Sequence, residues 1–592
     1  ALAFAVILVF MMVYYRFAGL VASVALLANL LLTVGFMVAV NATFTLPGLA
    51  GLVLMLGMAV DANVLIYERL REERDRGASL PLAIRNGYDR AFPTIIDTHL
   101  SSIFTAIVLY AVGNDQLKGF GISLTVGLII SLFTSLYMTR LMFDVWQFKG
   151  WLKKLSMFRL LSKPNFDFMA IRYYWFTATI VLTILGAGIF IYRLDRGGLN
   201  IDFTKGVAYG GKLTEFMDLS ELRDKLSKSG LPDPSIEQTF LDDPDFSKGG
   251  KTKLFTVRTS EQDVQAVQEK ISKALGNLLA KTDLQDFKID PDNKRAILSF
   301  YDPATKQPGF ASRALVSRLL TDEFKKQGDE ATSQDFILEG LGQEKEGHFQ
   351  WMDLQLVRPL EKSKLQSVLK TTQDELAARP QPERLESFDS QLAAETQLRA
   401  LYAILASWAA ILLYLWFRFG NWTFGLAAVL CLIHDLFFTL GVIGFCHYIH
   451  EWAPGLASVL LIQDFKIDLP TVAALLTLVG YSVSDTIVVF DRIREVRGKN
   501  PLLTPQMIND SVNQTLSRTL LTAFSVWLVV TVLYIWGGDG VHLFAFVMVV
   551  GVFVGTYSSI YIASPLLLIF GEGAKQVSAR ERAQEKQPQV VA

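Results

Sequence analysis

The sequence predicts a polytopic α-helical membrane protein, made of two related halves, with a water-exposed α+β domain inserted in the second. Three observations carry that prediction. Long apolar runs fill residues 1–140 and 400–570, while 195–398 reads as ordinary soluble sequence. The stretch Gly57–Arg71 (GMAVDANVLIYERLR) has a near-copy at Gly480–Arg494 (GYSVSDTIVVFDRIR). Each copy sets an acid, Asp61 or Asp485, inside its apolar run. An ionisable group there costs about 2.5–3.5 kcal/mol on insertion scales and is by default a functional candidate.

Runs of spanning length fall at 17–40, 47–67, 93–112, 120–141, 173–193, 400–417, 422–445, 469–490, 516–536 and 541–570, with a shorter run at 1–15. Residue 1 already lies in an apolar run and is not Met. No signal peptide is read there, and the sequence is expected to begin part-way through a longer protein. Cys431 and Cys446 lie in or beside apolar runs, and the water-exposed domain has no cysteine, so it needs no disulfide. The net charge of −1 gives no pointer to a nucleic-acid partner, and none is expected.

The positive-inside rule orients the runs. With Arg16 in the cytoplasm, the inside segments hold 24 lysines and arginines, against Lys118 and Lys466 in the short outside loops. Residues 194–398 are then outside and the C-terminal tail, 571–592, is cytoplasmic. Long translocated domains are not counted in this rule. Between the halves, Phe143–Lys163 mixes Trp, Phe and Leu with Lys and Arg, and reads as a basic amphipathic segment on the cytoplasmic surface.

The duplication extends beyond the acid-bearing stretches. Residues 28–35 (ANLLLTVG) match 434–441 (HDLFFTLG), and 109–115 (LYAVGND) match 533–539 (LYIWGGD). Order and orientation agree, so the repeat is parallel, with its pseudo-twofold axis along the membrane normal. Asp61 and Asp485 would then face one shared midline.

In the soluble stretch, Tyr209–Thr214, Ser235–Leu241, Lys253–Arg258, Ala296–Tyr301 and His348–Val357 read as strands. Leu219–Ser229, Gln262–Leu279, Ser312–Lys326 and Leu360–Leu376 read as helices. The pattern fits tandem α+β units with antiparallel sheets. It holds no metal-ligand spacing, phosphate loop or nucleophile elbow, so no metal, no cofactor and no enzyme activity are expected. His348 is expected at the surface.

Asp61 lies about seven residues before the charged end of its helix, roughly 10 Å below the boundary. Asp485 is at a similar depth. Both are read as protonatable groups on a proton path, against the plainer alternative of an interhelical hydrogen bond. Arg518, at the start of the tenth run, is the candidate counter-charge for Asp485; its alternative is a lipid phosphate. Asp435 is deeper, and its repeat mate is Asn29. Asn63 and Thr486 are polar neighbours of the two acids. Asp97 and His99 lie near the start of a run. Asp97 there is expected to cap a helix N-terminus, and His99 can relay protons or simply be hydrogen-bonded.

These stretches also resemble a known family. Residues 45–51 (TLPGLAG) running into 57–69 (GMAVDANVLIYER) closely resemble SecD of bacterial protein export. Residues 165–169 (NFDFM), 200–204 (NIDFT), 414–419 (YLWFRF), 434–441 and 480–495 resemble SecF. The chain looks like a fusion of the two, lacking the first span and large outer domain of SecD. The resemblance implies a fold similar to the resistance–nodulation–division (RND) exporters. It implies an inner-membrane role beside the SecYEG channel and YajC-like and YidC-like subunits, drawing preproteins outward with the proton gradient. It also implies that Asp61, Asp485 and Arg518 carry the protons. Departures occur at Lys205-Gly206, Phe388-Asp389-Ser390, Asp97-Thr98-His99 and in a larger outer domain. The alternative within this architecture is an RND-type proton antiporter for small or lipidic molecules.

Overall fold

The computed structural model describes residues 2–40, 46–113, 115–152, 155–159, 164–232, 234–238, 247–248, 251–302, 307–327, 336–345, 348–378, 380–388, 390–500 and 502–572. Thr45, Asn114, Asp389, strand positions 239–241, linker positions 153–154 and 160–163, and the tail from 573 lie outside them. Among the described residues, ten helices are long and apolar enough to cross a membrane. They match the ten full-length runs, and the short run at the start is a fourteen-residue helix.

The first half runs α1 (Leu2–Tyr15), α2 (Phe17–Ala39), α3 (Leu46–Asp75), α4 (Leu80–Val112), α5 (Asp115–Leu132) and α6 (Thr139–Phe148). A π-helical turn at Phe133–Met138 joins the last two. Past Phe148 the described residues leave helical structure, so among them the amphipathic stretch is helical only at Phe143–Phe148. Phe158 and Arg159 are pinned to α1 and α3: Phe158 N donates to Tyr14 O (2.9 Å), Arg71 donates to Phe158 O (2.7 Å), and Arg159 pairs with Asp75 (2.6 Å). The next long helix, α7 (Arg172–Arg193), begins the second half.

Residues Ile201–Glu395 form a separate compact unit. It contains β1 (Gly206–Asp218), α8 (Leu219–Ser227), β2 (Ser235–Gln238), β3 (Ser247–Lys248), β4 (Lys251–Thr259) and α9 (Val264–Leu275). Then come β5 (Asp283–Ile289), β6 (Arg295–Asp302), β7 (Gln307–Pro308), β8 (Ala311–Ser312), α10 (Arg313–Lys326), β9 (Phe336–Lys345), β10 (His348–Leu356), α11 (Lys362–Ala378) and β11 (Arg384–Phe388). Two antiparallel sheets result, β11-β1-β4-β2 with β3 on β4, and β5-β6-β10-β8 with β7 on β6 and β9 on β10. Each sheet buries the apolar stripe of two helices. Val267, Ile271 and Leu275 of α9 pack on Tyr209 and Val257 of the first, and Leu319, Leu320 and Phe324 of α10 pack on Met352 and Leu354 of the second.

The late strand β11 returns to β1, which ties the second sheet's elements back to the first. His348 marks that tie, and it is buried rather than on the surface. Its strand β10 is flanked by β8 and β9, and its Nε2 lies 3.4 Å from Glu383 Oε2, just before β11. Arg318 of α10 donates to the neighbouring Pro382 O at 2.9 Å. Burial pushes the Glu383 carboxyl up, but His348, Lys212 and Arg318 outweigh it and hold it below the usual glutamate range.

After this unit come α12 (Ser390–Phe419), α13 (Trp422–Trp452), the short α14 (Pro454–Val459), α15 (Leu469–Arg497), α16 (Pro505–Trp536), α17 (Asp539–Ser558) and α18 (Ser564–Leu567). A π-helical turn at Ser559–Ala563 follows α17, as Phe133–Met138 follows α5 in the first half. Asp468 caps α15 in a capping box with Thr471, and Pro470 occupies a first-turn position where its missing N–H breaks no bond. The motif at 165–169 docks on α16. Asn513 brackets Phe166, donating to its O (2.8 Å) and accepting from its N (2.9 Å), and Asn509 accepts from Met169 N (3.0 Å).

Two helices form the centre of the membrane unit. The apolar window of α15 is wholly buried and that of α3 is 83% buried, against 6% for α7. That explains why α3 and α15 read as apolar all round apart from their acids. Their matched glycines let the halves meet. A methyl on Gly57 of α3 would lie 3.3 Å from Val526 Cα of α16, and one on Gly480 of α15 would lie 3.3 Å from Ser102 Cα of α4. The register that pairs 109–115 with 533–539 also pairs Ser102 with Val526. The seam is therefore self-complementary, each half giving the same groove to the other's central helix, as in a twofold dimer.

Two outcomes follow from this packing. Gly480→Val should lower thermal stability in detergent by about 1–3 kcal/mol through overpacking, while Gly35→Val, which meets nothing within 4 Å, should leave it unchanged. Glu383→Gln should cost about 1–3 kcal/mol by removing the partner charge of His348, read as faster hydrogen exchange at β1 and β10 amides. Because the folded carboxyl is held low, its stabilisation is present above the ordinary value of about 4.3 and lost as pH falls through the folded value. Glu383→Gln should flatten that acid-side loss.

Candidate functional site

The sequence makes α3 and α15 nearly continuous in Ala, Val, Leu and Gly, which sinks any polar residue on them into the seam. Asp61 lies one turn beyond Gly57, and Asp485 lies five residues beyond Gly480. In the alignment that pairs the two glycines, Asp61 faces Ser484 and Asp485 faces Ala62. The acids are thus one residue out of register. Both are turned inward: Asp485 is 5% exposed, and the Asp61 side chain 17%.

Arg518 reaches this seam from α16. Its Nη2 lies 3.5 Å from Asp61 Oδ1, a charge contact across the two halves and longer than a good hydrogen bond. Asp485 is close enough to interact electrostatically with both Asp61 and Arg518. The three expected residues therefore converge, although Arg518 contacts Asp61 rather than the Asp485 anticipated from sequence. Asp485 Oδ2 and Arg518 Nε and Nη1 are buried with no hydrogen-bond partner among the described residues. A cavity of about 290 Å³ leads to Arg518 from the charged helix ends, lined by Glu68, Arg69, Glu72, Arg492 and Gln514 among others.

The other intramembrane polar residues are arranged differently. Asp435 is fully bonded: His434 Nδ1 lies 2.9 Å from its Oδ1, and Ser482 and Ser558 donate to its Oδ2 at 2.5 and 3.0 Å. Tyr557 OH lies 3.1 Å from His434 Nε2 and extends the network. This cluster joins α13, α15 and α17 of the second half. Its repeat mate Asn29 accepts from Thr33 at 3.1 Å.

Asp97 does not cap a helix. The helix begins at Leu80, nearly five turns earlier, because Pro93 is accommodated inside it. Asp97 instead binds the second half, accepting from Tyr414 OH (2.8 Å) and Arg418 Nε (2.5 Å) of α12. His99 contacts Ile95 O (3.0 Å) and Ser131 Oγ (3.3 Å), away from the acid pair. Asn63 donates to Ala59 O at 3.3 Å, and Thr486 to Ser482 O at 3.1 Å, so both bond along their own helices.

Sequence reasoning missed Tyr414, Arg418, Ser482 and Ser558. Arg418 lay in view as the only cation of a cytoplasmic loop, but nothing in one sequence couples it to an acid 321 positions away.

The architecture and these sequences agree with known proteins. The model of the family described as "Protein export membrane protein SecD/SecF, C-terminal" matches residues 1–149 and 368–573. The protein translocase subunit SecDF of Brucella abortus is 28% identical over 582 residues, covering 98% of this chain and 60% of the relative. The subunit SecF of Koribacter versatilis is 31% identical over 428 residues, covering 70% of this chain and 93% of the relative. The crystal structure of SecDF from a Thermus species, described as a translocon-associated membrane protein, matches with a TM-score of 0.63 at 28% identity, covering 96% of this chain and 61% of that one. The chain spans about 60% of the length of those fused relatives. With more than half of its residues inside the family model, and with a SecD-like and a SecF-like half in one polypeptide, this chain belongs to the SecD/SecF family of protein export membrane proteins.

Proposed function

We propose that this chain is the membrane motor of an accessory subunit of the Sec protein-export machinery, driven by the proton gradient. It works beside the SecYEG channel and the YajC-like and YidC-like subunits in the bacterial inner membrane. Residues 194–398 face the periplasm, where they engage emerging preprotein, and the C-terminal tail is cytoplasmic. The observation that carries this reading is the Asp61–Arg518 contact, with Asp485 beside it, at the seam between the halves.

The charge count supports a proton cycle. One guanidinium faces two carboxylates, so one negative charge remains uncompensated unless an acid carries a proton. Loading that proton frees Arg518 to bind one acid, and releasing it brings the arginine back between both. The buried atoms left without hydrogen bonds make either arrangement accessible, because no tight network must be broken to switch. Since the pair bridges the halves, each switch changes what holds them together. One proton across ~100 mV supplies about 2.3 kcal/mol, enough to shift a two-state equilibrium roughly fiftyfold.

The relatives named above are translocase or translocon-associated proteins, which sets the antiporter reading aside. Asp61→Asn and Asp485→Asn should each abolish gradient-stimulated preprotein export in inverted membrane vesicles while the chain still inserts and folds. Full stimulation in both variants would remove the proposal.

A further inference from the structure

Where α3 and α15 emerge from the apolar layer, four charges form a closed square that the proton pair does not use. Arg69 Nη1 lies 3.1 Å from Glu72 Oε2 on its own helix, and its Nη2 lies 3.4 Å from Glu495 Oε2 of α15. Arg492 Nη1 lies 2.7 Å from Glu495 Oε2 on its own helix, and its Nη2 lies 3.6 Å from Glu72 Oε2 of α3. The alignment that pairs Gly57 with Gly480 pairs Arg69 with Arg492 and Glu72 with Glu495. Each helix thus offers the other the same Arg-x-x-Glu turn, and the square is the polar end of the self-complementary seam.

A third contact links the square to the buried pair. Arg492 Nε donates to Gln514 Oε1 of α16 at 2.7 Å. Gln514 lies one turn before Arg518 on the same helix face. Three corners of the square, Arg69, Glu72 and Arg492, line one cavity with Gln514 and Arg518.

We propose that Arg69, Glu72, Arg492 and Glu495 are a latch that clamps the inner ends of the two halves and, through Gln514, positions Arg518 against Asp61. The accessibilities suit a latch. Glu72 and Glu495 are 31% and 45% exposed, so water can take over their side of each ion pair and the square can open. Arg69 and Arg492 are only 11% and 7% exposed, so they cannot stay open without an acid in reach. Rocking the halves exchanges cross-helix pairs for the intrahelical pairs that each turn already holds. The residues act through Arg518 and are positioning residues. The latch is a property of the two helices. Its role in export rests on the proton-driven reading, but its existence does not.

The test is a distance measurement on the full chain in phosphatidylcholine–phosphatidylglycerol vesicles, with spin labels at Arg74→Cys and Lys499→Cys. The native Cys431 and Cys446 are buried and are replaced by alanine. Neutralising both arginines (R69Q with R492Q) should lengthen and broaden the distance distribution by more than the ~1–2 Å of an ordinary helix shift. Exchanging all four charges (R69E, E72R, R492E, E495R) should restore the original distribution, a rescue that mere packing damage would not show. An unchanged distribution in the neutralised chain, or a reversed chain that stays displaced, overturns the latch. If the labels respond as expected while Asp485→Asn exports normally, the latch stands and the proton-driven reading fails.

Discussion

A guanidinium facing two carboxylates in a buried seam is the interaction on which the rest of this structure depends. Charges of either sign are costly at that depth, and each lowers the cost of the other only when they stay within a few ångströms. The surrounding architecture meets that condition. Gly57 and Gly480 bring α3 and α15 against α16 and α4, so the acids on the first pair reach the cation on the second. Larger residues at either glycine would widen the seam and leave Arg518 and the acids buried and apart. The glycines are conformationally ordinary here; what they supply is the missing side chain.

Duplication explains why the seam exists, and departures from duplication explain why its charges do not balance. A strictly symmetric pair of halves would carry two equivalent acids and two equivalent cations, each half neutral by itself. Here the acids are one residue out of register, and the arginine occurs on α16 alone. The position matched to it in the first half falls at Thr94 or Ile95, and Thr94 bonds Asp491 at 2.9 Å. One cation must therefore serve both halves. Symmetry is retained where it builds the interface, in the glycine contacts, the Arg-x-x-Glu turns and the paired π-helical turns. It is broken at the buried charges, where one arginine faces two acids.

Much of this was legible in one sequence, for physical reasons. A spanning helix announces itself by length and composition, an acid inside it by its cost, and a duplication by matched residues in order. In the soluble unit, strands with strong apolar alternation, such as the one ending at Leu356, were readable. The strands at 283–289, 336–345 and 384–388 were not. The first carries three charges in seven residues (DLQDFKI), the second has two glycines that dilute its pattern, and the third is a short segment whose pairing with β1 spans most of the domain. His348 was misplaced because burial beside β11 depends on that same distant return. Asp97 was misread as a cap because the apolar run starts at residue 93, whereas α4 begins at Leu80. The common limit is that periodicity reports which face of an element is apolar, while partners across hundreds of residues are fixed by tertiary packing.

Asp435 and the seam acids differ in how completely they are bonded. Both oxygens of Asp435 are occupied, by His434 on one side and by Ser482 and Ser558 on the other, and all the donors belong to its own half. Withdrawing any of them leaves a desolvated group behind, so this cluster resists rearrangement and holds α13, α15 and α17 as a block. Ser482 lies three residues before Asp485 on the same helix. The complete network and the incomplete one thus share α15, one anchoring it within its half and the other engaging the opposite half. In the proposed cycle, a change of partner at Asp485 would be delivered to a helix already fixed to its neighbours. It would therefore be transmitted as displacement of the half as a body, whereas a loosely held α15 would absorb it locally. Under that proposal, burying one acid in a complete network would leave the other, incomplete, free to exchange partners across the seam.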